Sequence, residues 1–574
     1  MAIPTLALVP TGVKAGKVYS VLPETGVGDF TFTRASAATR INSAGLLEVE
    51  ATGVPRLEYP LIDGVVNGCP SLLLENQATN LITYPISFPT ANYWTRSGAS
   101  IEADATTEGT ETVTNGNFTG SATGWVLANG AVYGTNNIDL PFGGGKAYQG
   151  GIVGVVNNTY KLEYTVTANT SDSVLTLYGF SEHGASFFAM NTFVVDGTVG
   201  THTVYLQSSA SAASGVIEFR NVGGTVGAVT LDNVSCKEVQ GYSSPSVDFP
   251  TSAFKLVEDT SNALHYFYHP TIGDAGIKTA SFFVKAGERN KIGIRDGASG
   301  GSYVSFDLEN GIILDEFLTA TGTINAVADG WYKISIEQTI TSALRYQIFI
   351  LPNSYTSGSV IGTYQGDGTS GIYIFMAQVE QGSYATSPTL TSLTAEGTTT
   401  TRVAEVCNGA GDASTFNDSE GVLMLEAAAL VNQDSDRVIT ISDGTNSNRV
   451  TLFYEQTTNT LGYNIVVGGS SQSVNIQTLI DVTSFTKVCV KYKTNDFAFW
   501  INGFELVTDT SGATFGAGVL TELAFSGGGG GTTFYSKTKQ IQYFNTVLTS
   551  AELETLTSWT SFTAMANAQQ YSII

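Results

Sequence analysis

Polar and apolar positions alternate with a period of two through most of this chain. Phe30 and Phe32 alternate with threonines ahead of Arg34, and Tyr160-Lys-Leu-Glu-Tyr-Thr-Val166 and Val174-Leu-Thr-Leu-Tyr178 repeat the pattern. A period of two places successive side chains on opposite faces of an extended backbone, so each run predicts a half-buried strand. Turn residues separate the runs: Asn42-Ser-Ala-Gly45, Asn310-Gly311, and Asn502-Gly503 after Phe497-Ala-Phe-Trp-Ile501. An Asn-Gly pair between apolar runs predicts a tight hairpin. Further strands are predicted at Ala280-Ser-Phe-Phe-Val284, Trp331-Tyr-Lys-Ile-Ser-Ile-Glu337, Ile348-Phe-Ile-Leu351, Gly421-Val-Leu-Met-Leu-Glu-Ala427, Arg437-Val-Ile-Thr-Ile-Ser442 and Asn448-Arg-Val-Thr-Leu-Phe-Tyr454. The most helix-like stretch is Ser550-Ala-Glu-Leu-Glu554, whose cap pattern predicts one short helix near 549–557.

Composition sharpens this to a fold class. With 63 glycines, 26 tyrosines and 30 phenylalanines, the chain is built for strands joined by tight turns. The expected fold is all-β, a multi-domain β-sandwich and jelly-roll protein with very little helix. At about 150 residues per domain, 574 residues make roughly four units.

Charge removes several function classes. Lysine and arginine total 26 against 50 acidic residues, a formal net charge of −24, with no dense basic patch. Such a surface repels phosphate backbones, and nucleic-acid binding is not expected. No run approaches the ~18 apolar residues a membrane-spanning helix needs, and no membrane insertion is expected. Met1 to Pro10 lacks a basic leader and is interrupted by Pro4 and Pro10, so it does not read as a secretory signal, and synthesis in a cytoplasm is expected. Cys69, Cys236, Cys407 and Cys489 are too scattered for a metal or redox motif and read as reduced structural thiols.

Several ordered motifs resemble a module of tailed-phage virion proteins. They are Phe30-Thr-Phe-Thr-Arg-Ala-Ser-Ala-Ala-Thr-Arg40, Gly45-Leu-Leu-Glu48, Val54-Pro-Arg-Leu-Glu-Tyr59 and Ser71-Leu-Leu-Leu-Glu-Asn-Gln-Ala-Thr-Asn-Leu81. Phe283-Val-Lys-Ala-Gly287, Phe306-Asp-Leu308, Asp329-Gly-Trp-Tyr332 and Ala377-Gln-Val-Glu380 continue the series. The Ser-Pro segment and Lys-Leu-Val-Glu strand expected after Asp104 come only at Ser244-Pro245 and Lys255-Leu-Val-Glu258, which implies an inserted domain. That insert opens Val113-Thr-Asn-Gly-Asn-Phe118, continues with Gly124-Trp125 and closes on Leu231-Asp-Asn-Val234, resembling the carbohydrate-binding-module type of jelly roll. Trp500-Ile-Asn-Gly503 and Phe544-Asn-Thr-Val-Leu-Thr-Ser-Ala-Glu-Leu553 resemble a concanavalin A or laminin-G-like jelly roll.

The expected domains are an N-terminal attachment segment (1–28), a discontinuous phage sandwich (29–104 and 243–396), the insert (105–242) and a C-terminal jelly roll (397–574).

Candidate chemistry is sparse. His265 and His269 have a spacing that could ligate zinc on a helix, but the tyrosines and phenylalanine between them predict a strand. Glu163 and Glu218 could form the paired carboxylates of a glycosidase, or belong to a solvated sheet face. No catalytic residue is assigned, and the expected protein is not an enzyme. Sugar binding needs only aromatic platforms with polar companions. Trp125, Tyr133, Tyr148 and Tyr178 are the candidates, with Asn129 and Asn136 beside them; the resemblance equally implies a core position for Trp125. Jelly rolls of this type often hold structural calcium, for which Asp232 is the candidate ligand; the alternative is a strand-end aspartate satisfied locally. No other cofactor is expected. Arg34, Arg40, Arg56 and Arg402, set among Glu48, Glu58 and Glu75, read as structural ion pairs.

The resemblance implies a virion location, with other virion proteins and a host-surface glycan as partners. The expected role is a tail-fibre or appendage subunit, a homo-oligomer with a trimer favoured. The alternatives are a capsid-decorating or head-fibre protein, and third a polysaccharide depolymerase.

Overall fold

The computed structural model describes residues 2–560 except 87, 90–93, 156–157, 171–172, 179–186, 188–191, 209–214, 223–225, 249–251, 270–274, 298–300, 341–344, 390–396 and 433–436, together with residue 564. The chain is nearly all β, arranged as antiparallel sheets in two compact units. One unit comprises Met1–Ala78, Thr386–Thr389 and Thr401–Ile574; the other comprises Thr79–Ala385 and Leu390–Thr400.

The first unit is a sandwich closed by segments from both ends of the sequence. Its largest sheet has the strand order Phe504–Asp509, Phe497–Ile501, Thr486–Lys493, Glu420–Ala429, Ser536–Phe544, Ser71–Leu74, Arg56–Glu58. Leu6–Leu8 also pairs with Ser536–Phe544, with Leu6 opposite Tyr543 and Leu8 opposite Ile541. A five-stranded sheet over 437–478 and 522–524 lies in the same unit, as does a smaller one in which Phe30–Thr33 pairs with Val406–Asn408. Leu6, Leu8, Phe30, Phe32, Leu72 and Leu74 share one buried cluster with Leu423, Leu425, Ile541 and Tyr543.

This corrects two expected boundaries. Residues 1–28 are not a separate segment, because they include the core strand Leu6–Leu8, in which Leu6 and Leu8 are fully buried. Residues 29–78 fall in one compact unit with the C-terminal jelly roll and Thr386–Thr389, and not with 243–385, because their inward-facing side chains fill that core. At roughly 1.5–3 kcal/mol for each fully buried large apolar side chain, these six residues anchor the segment firmly. Asn502 and Gly503 both have positive φ, as the mirror-image hairpin turn requires. The helix is Ser550–Thr557, with Thr549 and Glu552 exchanging capping-box bonds.

The second unit holds two sandwiches. One sets the order Thr95–Ser97, His265–Tyr268, Tyr346–Leu351, Lys291–Asp296, Tyr303–Asp307, Ile312–Phe317 against Ala99–Glu102, Ser252–Glu258, Gly371–Gln381, Gly276–Ala286, Trp331–Ile340, Thr321–Ala326. The chain crosses from one sheet to the other at Gly98, whose φ is +62° and where a Cβ would lie 2.6 Å from the Leu264 carbonyl oxygen. The other sandwich covers 108–239. Its sheets are Val132–Tyr133, Ile138–Pro141, Ala228–Val239, Thr159–Asn169, Gly200–Gln207 and Val126–Ala128, Lys146–Ile152, Gly215–Asn221, Leu175–Tyr178, Thr192–Val194. Its first strand, Glu108–Glu111, pairs with its last, Ala228–Val239, and the Gly241 N–H donates to the Asp104 carbonyl at 3.1 Å. The segments entering and leaving this sandwich therefore run side by side.

Candidate functional site

In the sandwich of residues 108–239, the odd-numbered positions Ala147, Ile217, Phe219, Leu175 and Leu177 face the core. The alternate positions must face away from it. The register puts Val126, Tyr148, Glu218 and Tyr178 on one line across four strands of that outward face. Tyr148 and Tyr178 flank Glu218, two strand spacings or roughly 10 Å apart. Arg220 lies next along the same face, its guanidinium 3.8 Å from the centre of the Tyr178 ring. Its Nε donates to Glu218 Oε1 at 2.9 Å, and its Nη2 donates to the same oxygen. The Glu218 side chain is fully buried and the Arg220 side chain is 14% exposed. The guanidinium fixed against it offsets part of the cost of enclosing a carboxylate.

The four candidate platforms thus separate. Tyr148 and Tyr178 come together, although Arg220 covers one face of the Tyr178 ring. Trp125 does not join them: it is 7% exposed, packs edge-on against Phe118 at 5.4 Å, and donates its indole N–H to the Thr114 carbonyl at 3.1 Å. It is a core residue with its polar handle satisfied. Tyr133 is exposed but lies on an edge strand of the other sheet, its hydroxyl 3.4 Å from Asn136 Oδ1. Asn129 and Asn136 have positive φ; the Asn129 side chain donates to the Gly144 carbonyl and that of Asn136 accepts the Gly120 N–H. Both serve turns.

Glu163 and Glu218 lie in different sheets, and Glu163 pairs with Lys161 at 3.0 Å, so they are not a facing pair. Asp232 Oδ1 accepts the N–H of Asn233 at 2.7 Å. Among the described residues, no group of three or more histidine, cysteine, aspartate or glutamate side chains is placed to hold a metal ion. His265 and His269 lie on or just past a strand, with His265 Nε2 3.2 Å from the Tyr364 carbonyl and the His269 ring against Trp94.

The arginine candidates form a second constellation, in the other unit. Arg34 Nη1 meets Glu405 Oε1 at 2.8 Å, and Arg56 grips both oxygens of Glu405 while its Nη1 reaches Glu75 Oε2 at 2.8 Å. Arg402 Nη2 lies 3.4 Å from the same Glu75 oxygen. Ser387 closes the ring, its N–H donating to Glu75 Oε1 at 2.9 Å and its hydroxyl to Oε2. Burial alone would raise the Glu75 carboxyl, but Arg402, Arg56 and Ser387 reverse this and hold it well below the ordinary carboxylate range. Arg40 stands apart, half-exposed, between Glu48 at 2.8 Å and Glu50 at 2.5 Å. Sequence reasoning missed Glu405, the carboxylate shared by Arg34 and Arg56, and the only sequence signal was its place just after Arg402.

No protein-family model matches the chain. No curated protein matches it. Among solved structures, it is similar to the CBM40 module of Ruminococcus gnavus IT-sialidase bound to alpha2,3 sialyllactose, at 16% identity over 26% of this chain and 88% of that one, TM-score 0.23. It is also similar to the NanB sialidase of Streptococcus pneumoniae, at 14% identity over 25% of each chain, TM-score 0.21. A third is the N-terminal CBM22-1-CBM22-2 tandem domain of Paenibacillus barcinonensis Xyn10C, at 12% identity over 48% of this chain and 99% of that one, TM-score 0.18.

Proposed function

We propose that the chain is a non-catalytic glycan-binding protein whose sugar site is the outward sheet face of the 108–239 sandwich. The observation that carries this reading is the cross-strand row Tyr148, Glu218, Tyr178, with Arg220 laid on Tyr178 and clamped by Glu218. Pyranose rings present apolar faces to aromatic rings and hydroxyls to charged or amide groups, and this row supplies both within one strand-to-strand span. Tyr148 is the stacking surface, and Arg220, held from behind by the buried Glu218, is the polar contact.

We further propose that the protein serves a phage virion as an oligomeric tail-fibre or appendage subunit, presenting this site to a host-surface glycan. The ordered motifs between Phe30 and Glu380 support that setting. Glycan-array binding by the full chain is expected to fall at least tenfold in Tyr148→Ala with an unchanged melting temperature. A wild-type protein that binds no glycan, or a folded Tyr148→Ala that binds as well as wild type, refutes the site. Antibody labelling that finds the protein absent from purified virions refutes the setting.

A further inference from the structure

The sandwich of residues 95–381 has an outward face of its own. Phe267, Ile292, Ile294, Val304, Phe306, Ile348 and Ile350 point into its core, so the alternate positions on these strands point outward. Register aligns Thr95, Tyr268, Gln347, Arg295, Tyr303 and Phe317 in one row across six strands. The next row contains Tyr266 and Phe349, whose rings stack at 4.8 Å. Tyr303 and Phe317 stack at 5.0 Å and 19°, and Phe317 is 45% exposed.

Two arginines sit on these rings: Arg345 is 4.5 Å from the centre of Tyr268, and Arg295 is 4.9 Å from the centre of Phe349. Arg295 is held there by Gln347, whose Oε1 accepts from Nη2 at 2.9 Å and Nε at 3.3 Å. Neither arginine makes an ion pair with a carboxylate among the described residues, in a chain with 50 acidic residues against 26 basic ones. The nearby Asp315 is turned elsewhere, accepting from Ser305, Tyr355, Ser357 and the Gly358 N–H. Those bonds fasten the 352–363 loop over the other end of the same face, where Tyr355 and Ile361 cluster with Phe349 and Leu351. The loop reaches the strip formed by the row from Tyr268 to Phe317 at Tyr303, whose hydroxyl donates to the Ser359 carbonyl at 3.4 Å.

We propose that this strip is a second ligand face, which takes an acidic polysaccharide lying across the strands. Aromatic rings suit the apolar faces of successive sugars, and guanidiniums without a carboxylate partner among the described residues suit their carboxylates in bidentate fashion. From Tyr268 to Phe317 the strip crosses four strand gaps, or roughly 19 Å, so an extended chain fits it better than a single sugar. The site is separate from the row around Tyr148 and does not depend on it.

The test uses the full chain, immobilised polygalacturonate at low salt, and immobilised dextran as the neutral control. Wild type is expected to bind polygalacturonate and not dextran, with affinity falling as salt rises. Arg295→Gln combined with Arg345→Gln is expected to lose at least tenfold while melting as wild type does; Tyr148→Ala is expected to bind this polymer unchanged. A folded double variant that binds normally shows a purely structural ladder and overturns the proposal, as do equal binding to dextran and no binding to polygalacturonate. Should the double variant fail to fold, Tyr303→Ser is the second readout, and wild-type affinity in it overturns the proposal. Loss in Tyr148→Ala alone places the acidic-polymer site on the other sandwich and also overturns it.

Discussion

Arg56 is fully buried, and its guanidinium serves Glu405, Glu75, Ser387 and the Thr39 carbonyl together. Taking such charges out of water is costly, so the arrangement stands only while every partner is present. Replacing Glu405 with Gln leaves Arg34 and Arg56 short of a shared counter-charge inside the protein. The expected loss is about 3–5 kcal/mol, read as a lower urea midpoint; a change under ~1 kcal/mol would show that the network is not coupled to folding. Glu75 carries the pH dependence. Its carboxyl lies below the ordinary range when folded, so as pH falls the unfolded chain takes up this proton first. The stabilisation is complete above about pH 5 and is lost progressively as pH falls through ~4 and towards the folded value. Melting followed from pH 7 to 3 should decline below pH 5, less steeply in Glu75→Gln. At this scale the sequence is informative about type and not about partner. Arg34, Arg56, Arg402 and Glu75 stand out in a cation-poor chain, but Glu405 lies 371 residues from Arg34, and no local pattern joins them.

Strands such as Phe30–Thr33 and Thr159–Asn169 are legible from their period, because a half-buried strand writes its burial directly into alternate residues. Phe30–Thr33 shows buried, exposed, buried, exposed in the order its sequence implies, and the Thr549 capping box marks the helix Ser550–Thr557 by local chemistry. Pairing is a different matter. Ser71–Leu74 is buried at all four positions and reads only as apolar, and its partner Ser536–Phe544 is fixed by the three-dimensional core. The same holds for the sugar row: Tyr148 and Tyr178 are visible as aromatics, while the residue between them, Glu218, follows only from register. Because Ser536–Phe544 pairs with Glu420–Ala429, Ser71–Leu74 and Leu6–Leu8, its loss removes three neighbours at once. A chain ending at residue 535 is expected to lose hydrogen-exchange protection at Leu6–Leu8 and Leu72–Leu74 as well as in 420–429. Retained protection at Leu72 would show that the N-terminal strands hold without it.

The order of units along the chain is nested. The 108–239 sandwich is emitted from within the 79–385 unit, which is itself emitted from within a unit made of residues 1–78 and 401–574 together with Thr386–Thr389. Each inner body is continuous enough in sequence to complete itself, whereas the outer one needs both ends. Its closing contacts, such as Leu72 with Thr538, span more than 450 residues. On a ribosome adding about 5–20 residues per second, Leu72 and Leu74 would wait roughly 25–90 s for their partner strand. Throughout that interval an apolar strand with only Arg56–Glu58 beside it is exposed on a nascent chain whose other domains are already folding. The partner strand that completes the sheet is thus also a clock, and cellular yield of this protein should depend on what shields Ser71–Leu74 until it arrives.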